Sequence, residues 1–127
     1  MELRFNRHYT REEASCLLPQ VRRWLPRLRC LRMLAGHLEP GLKRAVDSGA
    51  DRGGGEVDRS VHILAEMRSL LAEFERREIQ VRDLDRGLID FPALIGGREV
   101  FLCWEEDEEA VTYWHDIDSG FTGRTRL

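Results

Sequence analysis

Apolar residues in the first third of the chain recur every seven positions. One seam position holds Ala14, Val21, Leu28, Ala35 and Leu42, and the other holds Leu17, Trp24, Leu31, Leu38 and Ala45. This spacing predicts a helix that buries a continuous stripe in the manner of a coiled coil. Leu18 and Leu25 widen the stripe enough to meet more than one neighbour. Thr10 with Glu13 three residues later forms a capping box, which starts the helix there. The opposite face carries Arg22, Arg23, Arg27, Arg29 and Arg32, an arginine stripe that predicts a solvated surface. Pro19 and Pro26 each remove a backbone donor and should cost or bend something. Pro40-Gly41 is a stronger break, so firm helix is expected to about Leu38 and a kinked continuation to about Asp47.

Glycine and small polar residues over 48–57 predict a flexible loop. Asp58 then reads as the N-cap of a second helix to about Arg82. Its core face is Val61, Leu64, Met67, Leu71 and Phe74, broadened by Ile63 and Leu70. Val81 and Leu84 continue that face after an interruption at Glu78. In the final third the period drops to two: Val100, Leu102 and Trp104 alternate with Phe101 and Cys103, which predicts a strand. Gly96-Gly97 is a two-residue hairpin turn. Strands are expected at 90–95 and 110–115 on either side of this one, with Pro92 confining the first to an edge and an acidic loop at 105–109. The predicted fold is α+β, a long antiparallel helical hairpin packed on a small three-stranded antiparallel β-meander. It is one domain over 1–127, with the hairpin at 10–82 and the meander and C-terminal tail at 88–127.

Register assigns the faces. The Gly-Gly turn sets Ile95 opposite Arg98, Leu94 opposite Glu99 and Pro92 opposite Phe101. A five-residue acidic loop sets Trp104 opposite Ala110 and Glu99 opposite His115, whereas a four-residue loop would flip the last strand. One face then holds Phe91, Ala93, Ile95, Val100, Leu102, Trp104, Ala110, Thr112 and Trp114 and should be core. The other holds Asp90, Pro92, Leu94, Glu99, Phe101, Cys103, Val111, Tyr113 and His115, half apolar and half polar.

Composition narrows the function classes. The chain has 127 residues, 20 Lys and Arg against 23 Asp and Glu, and a net charge of −3, with pI near 5.8. Such a balance argues against a nucleic-acid-coating protein. No apolar run reaches the ~18 residues of a membrane span, and residues 1–8 lack the apolar stretch of a signal peptide. Three scattered cysteines, Cys16, Cys30 and Cys103, without C-x-x-C spacing, suit a reducing cytoplasm.

Candidate chemistry gathers near the end of the sheet. Asp90, Glu99, Tyr113, His115, Asp116 and Arg124 form a candidate ligand site, in which Glu99 opposite His115 could transfer a proton. No nucleophile is fixed, and the catalytic residues are unknown. A metal would use Glu99, His115 and Asp116 or Asp118; Cys103 would lie roughly 13 Å from His115 under the preferred register, which argues against a Cys–His zinc site. A plain cross-strand His–Glu pair is the favoured alternative, and no metal or other cofactor is expected. The run Gly120-Phe121-Thr122-Gly123-Arg124 lacks phosphate-loop spacing. There Phe121 should plug the core and Arg124 should pair with Asp90, Asp116 or Asp118.

Several segments together resemble a known family. They are Glu12-Glu13-Ala14 with Leu17-Leu18-Pro19, Glu56-Val57-Asp58, Asp83-Leu84, 87–93, 97–100, Leu102-Cys103-Trp104, Trp114-His115 and Gly120-Phe121-x-Gly123-Arg124. They resemble the bacterial family catalogued as domain of unknown function 2203, a likeness that spans essentially the whole chain and is densest from Leu84 onward. It implies no catalytic residues. A helix continuous over 11–47 would be ~55 Å long, too long for a compact domain whose radius of gyration is ~14 Å. The expected function is therefore a non-enzymatic cytoplasmic interaction or scaffold protein, a homodimer through its helices, with room for another protein partner and none for nucleic acid or membrane. The alternative is a small-ligand or metal-binding domain, with hydrolase activity in view, whose site lies at the Glu99/His115 end of the sheet.

Overall fold

The computed structural model describes residues 2–38 and 54–127. Among them are helices α1 (Arg11–Gly36) and α2 (Gly54–Arg76) and strands β1 (Gln80–Asp83), β2 (Leu88–Ile95), β3 (Arg98–Glu105), β4 (Tyr113–Asp116) and β5 (Thr125–Arg126). The strands make one antiparallel sheet in the order β1-β2-β3-β4-β5. The α+β class agrees with the sequence pattern, but the sheet has five strands where three are expected. Pro40-Gly41, Leu42, Ala45 and most of the expected glycine loop lie outside the described residues. No helix among the described residues is long and apolar enough to cross a membrane.

The capping box forms as predicted. Thr10 Oγ1 accepts from the Glu13 amide at 3.1 Å, and Glu13 Oε1 accepts from the Thr10 amide at 2.8 Å. The helix runs unbroken through Pro19 and Pro26, both exposed. Ala14, Leu18, Val21, Leu25 and Leu28 join Phe91, Ala93, Val100, Leu102 and Trp104 in the core. Trp24 turns to α2 instead and meets Phe74 edge-on at 5.3 Å. The wide stripe thus serves two neighbours within one chain.

The arginine stripe is exposed as expected at Arg22, Arg23, Arg27 and Arg32, with Arg29 half-buried, but most of it is also paired. Arg27 pairs with Glu66 of α2 at 2.5 Å, Arg29 with Glu106 at 2.8 Å, and Arg32 with Asp85. Arg22 Nη2 donates to the carbonyls of Glu108 and Glu109 at 3.0 Å each. These guanidiniums fasten the helix to α2 and to the loops of the sheet.

Helix α2 begins at Gly54, one turn before the expected cap at Asp58. Glycine costs only ~1 kcal/mol per helical position, so the glycines do not forbid that turn. Its buried side is shifted too: Val61 and Leu71 are exposed, while Ile63, Leu64, Met67 and Leu70 are half-buried and Phe74 is buried. The helix stops near Arg76, not Arg82, because Glu78 adopts φ 58°. The Glu78 amide then donates to Glu75 O at 3.0 Å and the Ile79 amide to Phe74 O at 3.0 Å. Ile79 and Phe74 both enter the core, completing a Schellman stop with glutamate in the left-handed place. Val81 therefore lies in β1 and not on a helix.

The first hairpin has the predicted register, Ile95↔Arg98, Leu94↔Glu99 and Pro92↔Phe101. Gly96 and Gly97 supply the two positive φ values, 59° and 77°, that such a turn demands. β1 pairs only with Leu88, Ile89 and Asp90. Pro92 lies beyond it, and its carbonyl accepts from the Tyr9 amide at 2.7 Å. A strand residue's N and O point the same way, so the missing proline N–H faces away from β3 and no ladder bond is lost.

The second hairpin differs from the expected register by two residues. His115 lies opposite Phe101 and not Glu99, Trp114 opposite Leu102, and Tyr113 opposite Cys103. The intervening loop is longer than five residues because it is tied down. Glu108 closes a turn onto Glu105, its carbonyl takes the Trp104 indole N–H at 3.0 Å, and Arg22 and Arg29 hold the loop to α1. A slip of two preserves the faces of the residues in β4, but Ile95, expected in the core, is exposed, and Val111, expected on the other face, joins the core because it precedes the strand. Trp104 is fully buried, and Trp114 packs half-buried against the core.

Candidate functional site

The second sheet face is covered by the two ends of the described chain and not by helices. Phe5 packs edge-on against Phe101 at 5.5 Å. Glu99 holds this N-terminal segment: its carboxylate accepts from the Arg4 amide at 2.8 Å and the Phe5 amide at 3.0 Å, and meets His8 Nε2 at 2.7 Å. Burial pushes the Glu99 carboxyl up, but these hydrogen bonds, the one from His8 first, outweigh it and hold the group below its usual range. Glu99 is thus a clamp, and it does not reach His115.

What His115 does reach is Asp90. Asp90 and Cys103 face each other across β2 and β3, and Cys103 faces Tyr113 on β4. His115, two residues further along β4, leans back so that its Nε2 lies 3.0 Å from Asp90 Oδ1. One ligand atom from each of Asp90, Cys103 and His115 lies within 4.8 Å of the others. All three residues are buried, at 2%, 0% and 3% exposure. This overturns the expected ~13 Å between Cys103 and His115, which rested on the unslipped register.

The polar partners of the triad are defined. His115 Nδ1 donates to the Asp116 carbonyl at 2.8 Å, so the hydrogen-bond pattern assigns it a proton and turns Nε2 to Asp90. The Nε2 to Oδ1 contact is then a hydrogen bond only with a further proton between the two atoms. A metal cation would fill the same bridging role. Asp90 Oδ2 accepts from Arg82 Nε at 3.0 Å. Burial first, and then the Asp90 carboxylate, push the Cys103 thiol up to about 12, which rules it out as a free thiolate nucleophile at neutral pH without a cation beside it. The triad opens on a cleft of about 380 Å³ whose walls include Arg82, Leu88, Ile117 and Phe121.

The other expected site residues are dispersed. Asp116 pairs through its side chain with Arg98 at 2.8 Å, and Asp118 with Arg4 at 3.2 Å. Tyr113 lies under the Arg124 guanidinium, 4.0 Å from ring centroid to Cζ. Arg124 pairs with neither Asp90, Asp116 nor Asp118 but with Glu108, at 2.7 Å. The three aspartates are already taken, and the folded-back loop brings Glu108 to Arg124. The tail is nonetheless ordered onto the sheet through β5 and a 2.7 Å bond from the Leu127 amide to Thr112 O. Sequence reasoning sets Cys103 aside on distance and does not single out Arg82. Cys103 was already on the correct face with Asp90 and His115, and only the loop length hid the contact.

The family model described as "Uncharacterized conserved protein (DUF2203)" matches residues 7–127, and the chain belongs to that family. No curated protein and no solved structure matches the chain.

Proposed function

We propose that this member of the family is a metal-binding domain in which Asp90, Cys103 and His115 hold a zinc-class divalent cation. The observation that carries this reading is the convergence of three chemically different ligand atoms within 4.8 Å, all buried and all lining one cleft. Tetrahedral zinc at ~2.0–2.3 Å from its ligands sets them about 3.3–3.8 Å apart, so small side-chain rotations would close the site. Thiolate with imidazole selects zinc over magnesium or calcium. The Asp116 carbonyl behind His115 and Arg82 behind Asp90 are the outer partners that orient metal ligands. A sheet face with no ligand to hold would gain from apolar residues here, because burying an ion pair repays its desolvation poorly. The three unpaired cysteines suit the reducing cytoplasm.

Elemental analysis of untagged chain, purified without chelator from zinc-supplemented cells, should give about one zinc per chain. Cys103→Ser and His115→Ala should lose it while keeping their circular dichroism. Metal-free wild type that also ignores micromolar zinc in a thermal melt refutes the reading.

A second reading, homodimerisation through the helices, has its own observation. Met33 on α1 is 58% exposed, and Leu34, Val61 and Leu71 are also uncovered on the helix surfaces. Dimerisation predicts a scattering mass of twice 14.8 kDa at micromolar concentration, and a monomer mass there defeats it.

A further inference from the structure

The metal centre described above has three protein ligands and a cleft in front of them. Resting on that reading, we propose that the centre keeps one coordination position open and that this position takes a small oxyanion, a carboxylate or phosphoryl group, with Arg82 as its second anchor.

The ligand count is the first support. Among the described residues the cluster of His, Cys and acidic side chains has three members. Zinc with three protein ligands keeps a fourth place for water or substrate, the arrangement of reactive and not of structural sites. That place faces the cleft, since all three ligand residues line it.

Charge and geometry name the occupant. With a divalent cation bound, the Asp90 carboxylate and Cys103 thiolate cancel its two charges while neutral His115 adds none. The Arg82 guanidinium then leaves the cleft one positive charge in excess. Asp118 also lines the cleft, but it is paired with Arg4 at the exposed rim. Arg82 is 45% exposed, so its head is reachable from solvent. Its Cζ sits 4.9 Å over the Phe101 ring, which fixes the guanidinium plane. Its one hydrogen-bond partner among the described residues is Asp90, through Nε. The two Nη groups retain donors for an oxyanion, and a planar fork suits a carboxylate or phosphoryl group. Leu88, Ile117 and Phe121 give the remaining wall an apolar character, room for the organic part of the molecule that bears the oxyanion.

Cobalt substitution of the full chain tests this directly. Cobalt in the site should show a thiolate charge-transfer band and visible d–d bands. Titration with inorganic phosphate, and separately with acetate, should change the d–d bands saturably and leave the charge-transfer band in place. A charge-assisted hydrogen bond is worth ~1.5–3 kcal/mol, so Arg82→Gln should weaken phosphate binding about tenfold or more at equal cobalt content. Arg82→Lys, which keeps the charge and loses the fork, should fall between; it carries the comparison if Arg82→Gln loads cobalt poorly. Cobalt bound through thiolate but with d–d bands indifferent to both anions at tens of millimolar overturns this inference and leaves the metal reading standing. Unchanged phosphate affinity in both Arg82 variants also overturns it. Absence of any charge-transfer band brings down the metal reading, and this inference with it.

Discussion

Breaking the Asp90–His115 contact from one side should cost far more than removing it from both. Each side chain is only 3% exposed, and Nε2 and Oδ1 are 3.0 Å apart. His115→Leu strands a buried carboxylate whose remaining partners are Arg82 and the Cys103 thiol, and Asp90→Leu strands a buried imidazole. Removing one member of a buried pair costs ~3–5 kcal/mol, whereas replacing both by apolar residues of similar size is close to neutral or stabilising. Arg82 survives the loss of Asp90 at little cost because it is half-exposed and can turn to water. The expected result is a drop of ~3–5 kcal/mol for each single variant and less than ~1 kcal/mol for the double variant. For a domain of this size 1 kcal/mol moves Tm by about 3–5 °C, so the singles should melt ~10–25 °C low. Urea unfolding in excess chelator measures all four corners of the cycle without a metal contribution. Additive losses, with the double variant as poor as the two singles summed, would refute the buried-pair account. Repeating the wild-type melt in zinc should then raise stability by ~2.7 kcal/mol at a hundredfold excess over Kd.

The Glu99 clamp predicts a pH window. Its folded pKa lies below the reference 4.5, so the stabilisation is fully present above that value and is lost as pH falls through the folded pKa. Glu99→Gln should cost about 2 kcal/mol at pH 7, and the gap to wild type should vanish in strongly acidic urea melts; a gap that persists there would assign the loss to packing. Gly87→Ala should cost about 2 kcal/mol, since φ is +66° and the new Cβ would stand 2.6 Å from Glu106 Cβ, while Arg29 holds that glutamate in place. An unchanged denaturation midpoint would show that the loop yields freely.

What was legible in the sequence follows how locally each feature is determined. The capping box at Thr10 and the Gly96-Gly97 turn depend on residues within a few positions, and both form as read. The faces of the β4 residues also survive, because a two-residue slip is even, while Ile95 and Val111 depart from theirs. The end of α2 was hidden because glutamate occupies the left-handed stop that glycine usually marks. The interruption at Glu78 was visible, but nothing in local propensity distinguishes a broken helix from a helix that ends and becomes β1. The exposure of Val61 and Leu71 was hidden for another reason. Apolar spacing fixes the width of a helical stripe more firmly than its centre, and Leu70 or Leu71 serves the pattern equally well.

The loop of the second hairpin is held by contacts with the first helix, and no local pattern around that loop displays them. Arg22 and Arg29 lie on α1, some eighty residues before the loop they hold. They bind the Glu108 and Glu109 carbonyls and the Glu106 carboxylate in the longer loop that leads to β4 at Tyr113. With the loop that long, His115 stands opposite Phe101 and not Glu99, within reach of Asp90 and beside Cys103. It also leaves Glu99 for the N-terminal segment, which then covers Phe101 on the same face. Two arginines of an exposed stripe thus hold the loop that precedes the strand of His115, one of three side chains that meet from three different strands. Loosening that stripe should therefore disturb the triad before it unfolds the core, because the core residues of β2 and β3 are registered by their own glycine turn.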